Sequence, residues 1–144
     1  MKILIICSNL IGDTVLSTGV FSYFQKKHPI SSITFIIGPT AKPLLKNLQN
    51  VESLITINKK KYNLHWLEIL NKTKKINWDI IIDLRSSFLS YFLRNKEKYI
   101  FKKTKNIHHV LQLSKSLGID CSDLKIKTNE AEEKRARNYL QSNY

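Results

Sequence analysis

Asp13 follows Gly12 and stands two positions ahead of a stretch in which Val15, Leu16, Val20, Tyr23 and Phe24 recur at helical spacing. A carboxylate there sits at a helix N-terminus, where the macrodipole favours its ionised form. Held in a crevice, such a carboxylate can take a proton from a sugar hydroxyl, which is general-base chemistry. The same position suits a helix cap, and spacing by itself favours the cap. The dipole also sets a tension, because a depressed pKa keeps the base charged but weakens it. A catalytic Asp13 therefore requires burial beside its substrate. Gly12 would allow a tight turn and close approach of a ligand. Ser8 and Asn9 belong to the same loop, Ser8-Asn9-Leu10-Ile11-Gly12-Asp13.

A second group lies in Asp83-Leu84-Arg85-Ser86-Ser87. Arg85 can pair a phosphate or carboxylate bidentately, or else a neighbouring acidic side chain. Ser86 and Ser87 fit ligand contacts, and at least one of them fits a helix cap. His108-His109 precedes an amphipathic stretch. Adjacent residues on a helix point apart, so the pair reads first as helix-start residues, next as contacts to an anionic ligand and last as a metal site. Tyr62, Trp66, Trp78, Tyr91 and Phe92 read mostly as core or rim packing. The lysines at 72, 74 and 75 and at 102, 103 and 105 fit a basic face, though solvated surface is the commoner fate of such runs.

These residues need elements to position them. Ile3 to Cys7 is a short apolar run suited to a strand buried on both faces. A helix follows and stops at His28-Pro29. Strands are expected at Ser32 to Ile37, Leu54 to Ile57, Asp79 to Leu84 and Lys98 to Phe101. Helices are expected over Ala41 to Leu48 with Thr40 as cap, from Asn63 through Lys74, over Ser87 to Leu93, and over Val110 to Leu117. Lys59-Lys60-Lys61 reads as a polar turn, and Gly118 ends the last of these helices. Strand and helix thus alternate, which predicts an α/β fold with a parallel sheet and helices on both faces. Ligands of such sheets bind beyond the carboxyl ends of the strands. The loops Ser8 to Asp13, Gly38 to Thr40 and Arg85 to Ser87 are the positions where chemistry is expected. Thr128 to Tyr144 is hydrophilic and helical in pattern, with too little apolar surface for a core element.

Composition narrows the classes. A chain of 144 residues with 42% hydrophobic side chains is one globular domain. No apolar run approaches a bilayer span, and the N-terminus lacks a signal peptide's h-region, so a soluble cytoplasmic protein is expected. Cys7 and Cys121 lie far apart and carry no metal-ligand spacing, which argues against a disulfide scaffold. Neither G-x-G-x-x-G nor a P-loop motif occurs, which removes support for dinucleotide and P-loop chemistry. The net charge of +13 is mostly lysine. It fits both the codon bias of an AT-rich genome and an anionic partner such as nucleic acid, a phosphorylated lipid or a membrane surface.

Taken in order, these segments resemble the glycosyltransferase family 9 enzymes, the lipopolysaccharide heptosyltransferases and their relatives. The resemblance runs from Ile3-Leu4-Ile5-Ile6 and Ile11-Gly12-Asp13-Thr14-Val15-Leu16-Ser17-Thr18 through His28-Pro29 and Ile33-Thr34-Phe35-Ile36-Ile37-Gly38-Pro39. It continues in Asn50-Val51-Glu52-Ser53-Leu54-Ile55, Trp78-Asp79-Ile80-Ile81-Ile82-Asp83-Leu84-Arg85, and His108-His109-Val110 through Gly118-Ile119. It implies a Rossmann-like domain, the N-terminal, acceptor-side half of a GT-B fold. It further implies metal-independent, inverting transfer from a nucleotide-sugar such as ADP-heptose to a lipopolysaccharide-core or related glycan acceptor, with no resident cofactor. Asp13 would be the general base. Gly12, Ser8, Asn9, Arg85, Ser86 and, more weakly, Lys42 would contact substrate. Residues 1–127 would form the domain, and 128–144 a connecting helix toward a donor-binding domain without which the chain would be inactive. Peripheral contact with the inner face of the inner membrane would follow from the charge. Two departures stand out: Gly19 where the family usually has proline, and no basic residue near Cys7. The other class of reading is a non-catalytic module that binds anionic glycan or nucleic acid.

Overall fold

The computed structural model describes residues 1–58, 61 and 64–143. The elements in chain order are β1 (Lys2–Ile6), α1 (Ile11–Leu16), α2 (Thr18–Lys27), β2 (Ser32–Ile37), α3 (Lys42–Leu45) and β3 (Val51–Thr56). They continue with α4 (His65–Thr73), β4 (Trp78–Asp83), a 3-10 turn (Phe88–Tyr91), β5 (Asn95–Ile100), α5 (His109–Leu117) and α6 (Glu130–Asn143). The five strands form one sheet in the order β3-β2-β1-β4-β5, with every pairing parallel. This is the α/β, Rossmann-like architecture that the alternation of strand and helix predicts.

The central strand explains the arrangement. Ile3, Leu4, Ile5 and Ile6 have no exposed surface, and burying each side chain contributes roughly 1.5–3 kcal/mol. Ile3 and Ile5 face a core made with Val20, Phe21 and Phe24 of α2 and with Leu45, Leu113 and Leu117. Leu4 and Ile6 face the opposite core, with Ile69, Trp78 and Leu89. A strand with apolar residues at every position needs both covers.

The first predicted helix is broken in two. Thr14 Oγ1 donates to the Leu10 carbonyl at 2.9 Å, Ser17 Oγ to the Asp13 carbonyl at 2.7 Å, and Thr18 Oγ1 to the Val15 carbonyl at 2.7 Å. Hydroxyls that bond back into the preceding turn compete with helix continuation and bend the axis. The third helix is shorter than expected and begins after Ala41. Thr40 does not cap it, for its hydroxyl donates to the Asn9 carbonyl at 3.0 Å. The expected turn at Lys59-Lys60, the aromatic Tyr62 and the cap at Asn63 lie outside the described residues. So does Tyr144. Tyr91 and Phe92 are not core or rim packing but 64% and 68% exposed. Gly118 ends α5 in the left-handed region with φ of 67°, as its place in the sequence requires.

Helix α6 is exposed along nearly its whole length. A free helix of this length is marginal in water, so its polar tether matters. Asn47 donates to Glu132 at 2.8 Å, and Lys46 pairs with the same carboxylate. The hydrogen bond from Lys46 first, and that from the Asn129 backbone second, hold Glu132 below its ordinary value of 4.5. A depressed carboxylate contributes stability that is present above the unfolded pKa and lost as pH falls through the folded one. Hydrogen-exchange protection factors in α6 are therefore expected to fall as pH drops below 4.5. Glu132→Gln should flatten that dependence.

Candidate functional site

The loops leaving β1, β2 and β4 converge because those strands are neighbours in register. Ile6 pairs with Ile36 on one side and with Asp83 on the other. Asn9 is where the loops meet. Its backbone carbonyl accepts from Thr40, and its side-chain Oδ1 accepts from Arg85 at 2.8 Å. Gly38 lets that contact form: a Cβ at this position would stand 2.8 Å from the Asn9 Cα.

The β4 loop is built by Asp83, which is completely buried. One carboxylate oxygen accepts from the Arg85 N–H at 2.9 Å. The other accepts from the Ser87 N–H and hydroxyl, both at 2.8 Å. Wrapping the chain around one carboxylate puts Ser86 at φ of 52°, a conformation uncommon for a residue with a Cβ. It also turns Arg85 outward. The guanidinium stacks over Trp66 at 5.3 Å, a contact that favours arginine over lysine. Partial desolvation pulls the pKa of Arg85 down while the charge of Asp83 opposes the shift. Asp83 was not among the residues singled out for the site. Its signal was an acidic residue directly after the run Ile80-Ile81-Ile82.

Asp13 lies in the first turn of α1 but does not cap it. The N-cap is Leu10, without a side-chain bond. The Asp13 carboxylate instead accepts from the Ser8 hydroxyl at 2.9 Å, and Ser8 Oγ in turn accepts from the Leu10 N–H at 3.2 Å. The carboxylate is thus oriented by a hydroxyl in the loop. Gly12 does not serve as a turn residue: it lies within α1, and a Cβ there would meet nothing within 4 Å.

Asp13, Ser8, Arg85 and Ser86 line one cleft of about 280 Å³, joined there by Ser17, Leu84, Phe101, Lys103 and His109. Arg85, Lys103 and His109 can offer N–H donors to it, and Asp13 offers an acceptor. That combination suits an anionic, hydroxyl-rich ligand. The Ser86 hydroxyl donates to the Phe101 carbonyl. Asn9 reaches the cleft through Arg85. Lys42, exposed at the start of α3, does not line it. Lys103 was read as solvated surface, although it lies three residues beyond the carboxyl end of β5. The carboxyl-end rule that selected the other loops selects this one too. His109 begins α5 and stands edge-on to Phe101 at 5.4 Å.

Cys7 directly follows β1, and burial drives its thiol far above the ordinary range, with Arg85 opposing. Such a thiol is inert packing. Both cysteines are free and buried. Among the described residues no group of three or more His, Cys, Asp or Glu is placed to hold a metal ion, and no helix is long and apolar enough to cross a membrane.

No family model matches the chain. A curated relative, lipooligosaccharide heptosyltransferase 2 of Haemophilus ducreyi, is 30% identical over 95 residues, which cover 65% of this chain and 27% of the relative. The glycosyl transferase family 9 structure from Veillonella parvula superposes with a TM-score of 0.74 at 20% identity. The match covers 98% of this chain and 49% of that one. E. coli ADP-heptose lipopolysaccharide heptosyltransferase II superposes with a TM-score of 0.62 at 16% identity, over 97% and 50%. E. coli heptosyltransferase WaaC with ADP gives 0.63 at 13% identity, over 88% and 51%. The chain spans about half the length of these solved structures.

Proposed function

We propose that this chain, heptosyltransferase-like and of the family 9 glycosyltransferase type, is the acceptor-binding half of a glycosyl-transfer enzyme, with Asp13 as its general base. The observation that carries the reading is the Asp13 carboxylate, oriented by Ser8 and lining a cleft whose basic walls are Arg85, Lys103 and His109. An acceptor bound by its negative charge to Arg85 and Lys103 would present a hydroxyl to Asp13. The carboxylate takes the hydroxyl proton as the oxygen attacks the anomeric carbon, and the nucleotide departs from the opposite face. The product is inverted. Holding acceptor and base in this geometry supplies the positioning part of catalysis.

The donor in this proposal is ADP-heptose, supplied by a second, donor-binding domain and transferred without a metal ion or resident cofactor. Support comes from E. coli WaaC, solved with ADP and with ADP-2-deoxy-2-fluoro heptose. A lipopolysaccharide-core sugar is the proposed acceptor, by likeness to the Haemophilus relative. Such an acceptor places the chain in the cytoplasm, at the inner face of the inner membrane. Residues from 128 onward serve as the connecting helix, and without the donor domain the chain binds acceptor but transfers nothing.

Calorimetric titration of this chain with a phosphorylated core oligosaccharide tests the proposal. Binding is expected, and Arg85→Ala should weaken it about tenfold, the usual scale for a charge-assisted contact. A dephosphorylated oligosaccharide should bind more weakly. Absence of oligosaccharide binding, together with RNA or DNA binding that falls steeply with salt, would replace this reading with that of a nucleic-acid module.

A further inference from the structure

An apolar groove of about 320 Å³ lies on the other side of Arg85 from the Asp13 cleft, lined by Trp66, Leu67, Leu70, Phe88 and Phe92. Phe88 is 84% exposed, Phe92 68%, Tyr91 64% and Leu67 58%. Four large apolar side chains this exposed and this close together are not ordinary surface. Three of them lie in residues 88–92, in the connection that leaves the carboxyl end of β4 just beyond Arg85, the side chain that borders both groove and cleft.

The charge of the chain segment that carries these aromatics, with Arg85 on the groove wall, indicates its occupant. From residue 85 to residue 105 the cations are Arg85, Arg94, Lys96, Lys98, Lys102, Lys103 and Lys105, against the single acid Glu97. Lys96 is engaged with Asp79, and Lys98 lies over the Tyr91 ring at 4.9 Å. Exposed aromatics interleaved with basic side chains match the headgroup region of a bilayer. Rings enter the acyl boundary there while cations meet lipid phosphates. A soluble protein partner would need apolar area but not this excess of one charge.

We infer that the Phe88–Tyr91 turn, with Phe92 and Leu67, is a docking surface for an anionic lipid bilayer, set so that Arg85 joins the membrane-facing groove to the acceptor cleft. The inference deepens the proposed function by naming the surface from which the acceptor is presented. It rests on that reading for its purpose alone, since vesicle binding requires no acceptor. Trp66, half-buried beside the groove, provides an optical reporter.

The test is co-sedimentation of this chain with vesicles of phosphatidylcholine alone and of phosphatidylcholine mixed with phosphatidylglycerol. The chain should bind the mixed vesicles, less at high salt, with a blue shift of tryptophan emission. The double variant Phe88→Ser/Phe92→Ser should lose about tenfold or more in partitioning while keeping its circular dichroism and melting temperature, because both side chains are exposed. Ile30→Ser, a control at a position 93% exposed elsewhere, should bind as the unaltered chain does. The inference is overturned if mixed vesicles are not bound, or if the double variant binds them equally well. It is also overturned if the double substitution instead abolishes self-association seen by sedimentation, since the groove would then be covered by protein. Vesicle binding without oligosaccharide binding would refute the functional reading and leave this one standing; the converse would do the opposite.

Discussion

Asp13→Asn is expected to lower kcat about 10²–10⁴-fold, the contribution typical of a positioned general base, in an assembled enzyme carrying both domains. Acceptor affinity should stay within about twofold, because in the proposed arrangement Arg85 and Lys103, rather than Asp13, hold the acceptor's charge. The amide matches the carboxylate in size and can still accept the Ser8 hydroxyl at the position now 2.9 Å away. What it lacks is the capacity to take a proton. Steady-state transfer rates together with acceptor titration of the same variant check both halves of the statement. Equal loss of rate and of binding would make Asp13 a binding residue, and an unchanged rate would remove it from the chemistry.

The largest stability effect is expected at Gly19. A Cβ there would stand 1.9 Å from the carbonyl oxygen of Cys121, 2.6 Å from its carbonyl carbon and 3.0 Å from its Cα. These are backbone atoms, so no side-chain rotation relieves the clash, and α2 must separate from the buried Cys121 segment. Overpacking of this kind costs about 3 kcal/mol, against roughly 1 kcal/mol gained from alanine's helix propensity. Gly19→Ala should therefore lose about 2 kcal/mol net, and thermal unfolding should shift down on the order of 5–10 °C. Gly12→Ala is the matched control. It also lies in a helix, meets open space, and should be neutral or slightly stabilising. Equal melting temperatures for the two variants would refute the packing account. The same contact explains why this chain carries glycine where the resemblance leads one to expect proline: any residue with a Cβ would meet the Cys121 carbonyl.

Much of this architecture was legible in the residues alone. Continuous apolar runs at Ile3 to Cys7 and Ile80 to Ile82, alternating with helical periodicity, require a parallel sheet covered on both faces, because no other arrangement buries them. Loops at strand ends then become the expected site, and Arg85 follows from its position there, whereas spacing made Asp13 a helix cap and only the resemblance made it a base. Boundaries were less legible. The break at Ser17 depends on hydroxyls choosing backbone carbonyls within their own helix, and the exposure of Tyr91 and Phe92 depends on what does not pack over them.

The sequence by itself determined the fold class, the order of elements and the loops in which chemistry would lie, since hydrophobic period and strand-end position are local properties of the chain. Only the tertiary structure decided that Asp13 is held by Ser8 instead of capping its helix, and that Asp83 folds the loop that aims Arg85. It alone showed that Lys103 and His109 complete the cleft while Lys42 stands outside it. These outcomes depend on which side chains meet across loops distant in sequence, and that is settled by strand order and register.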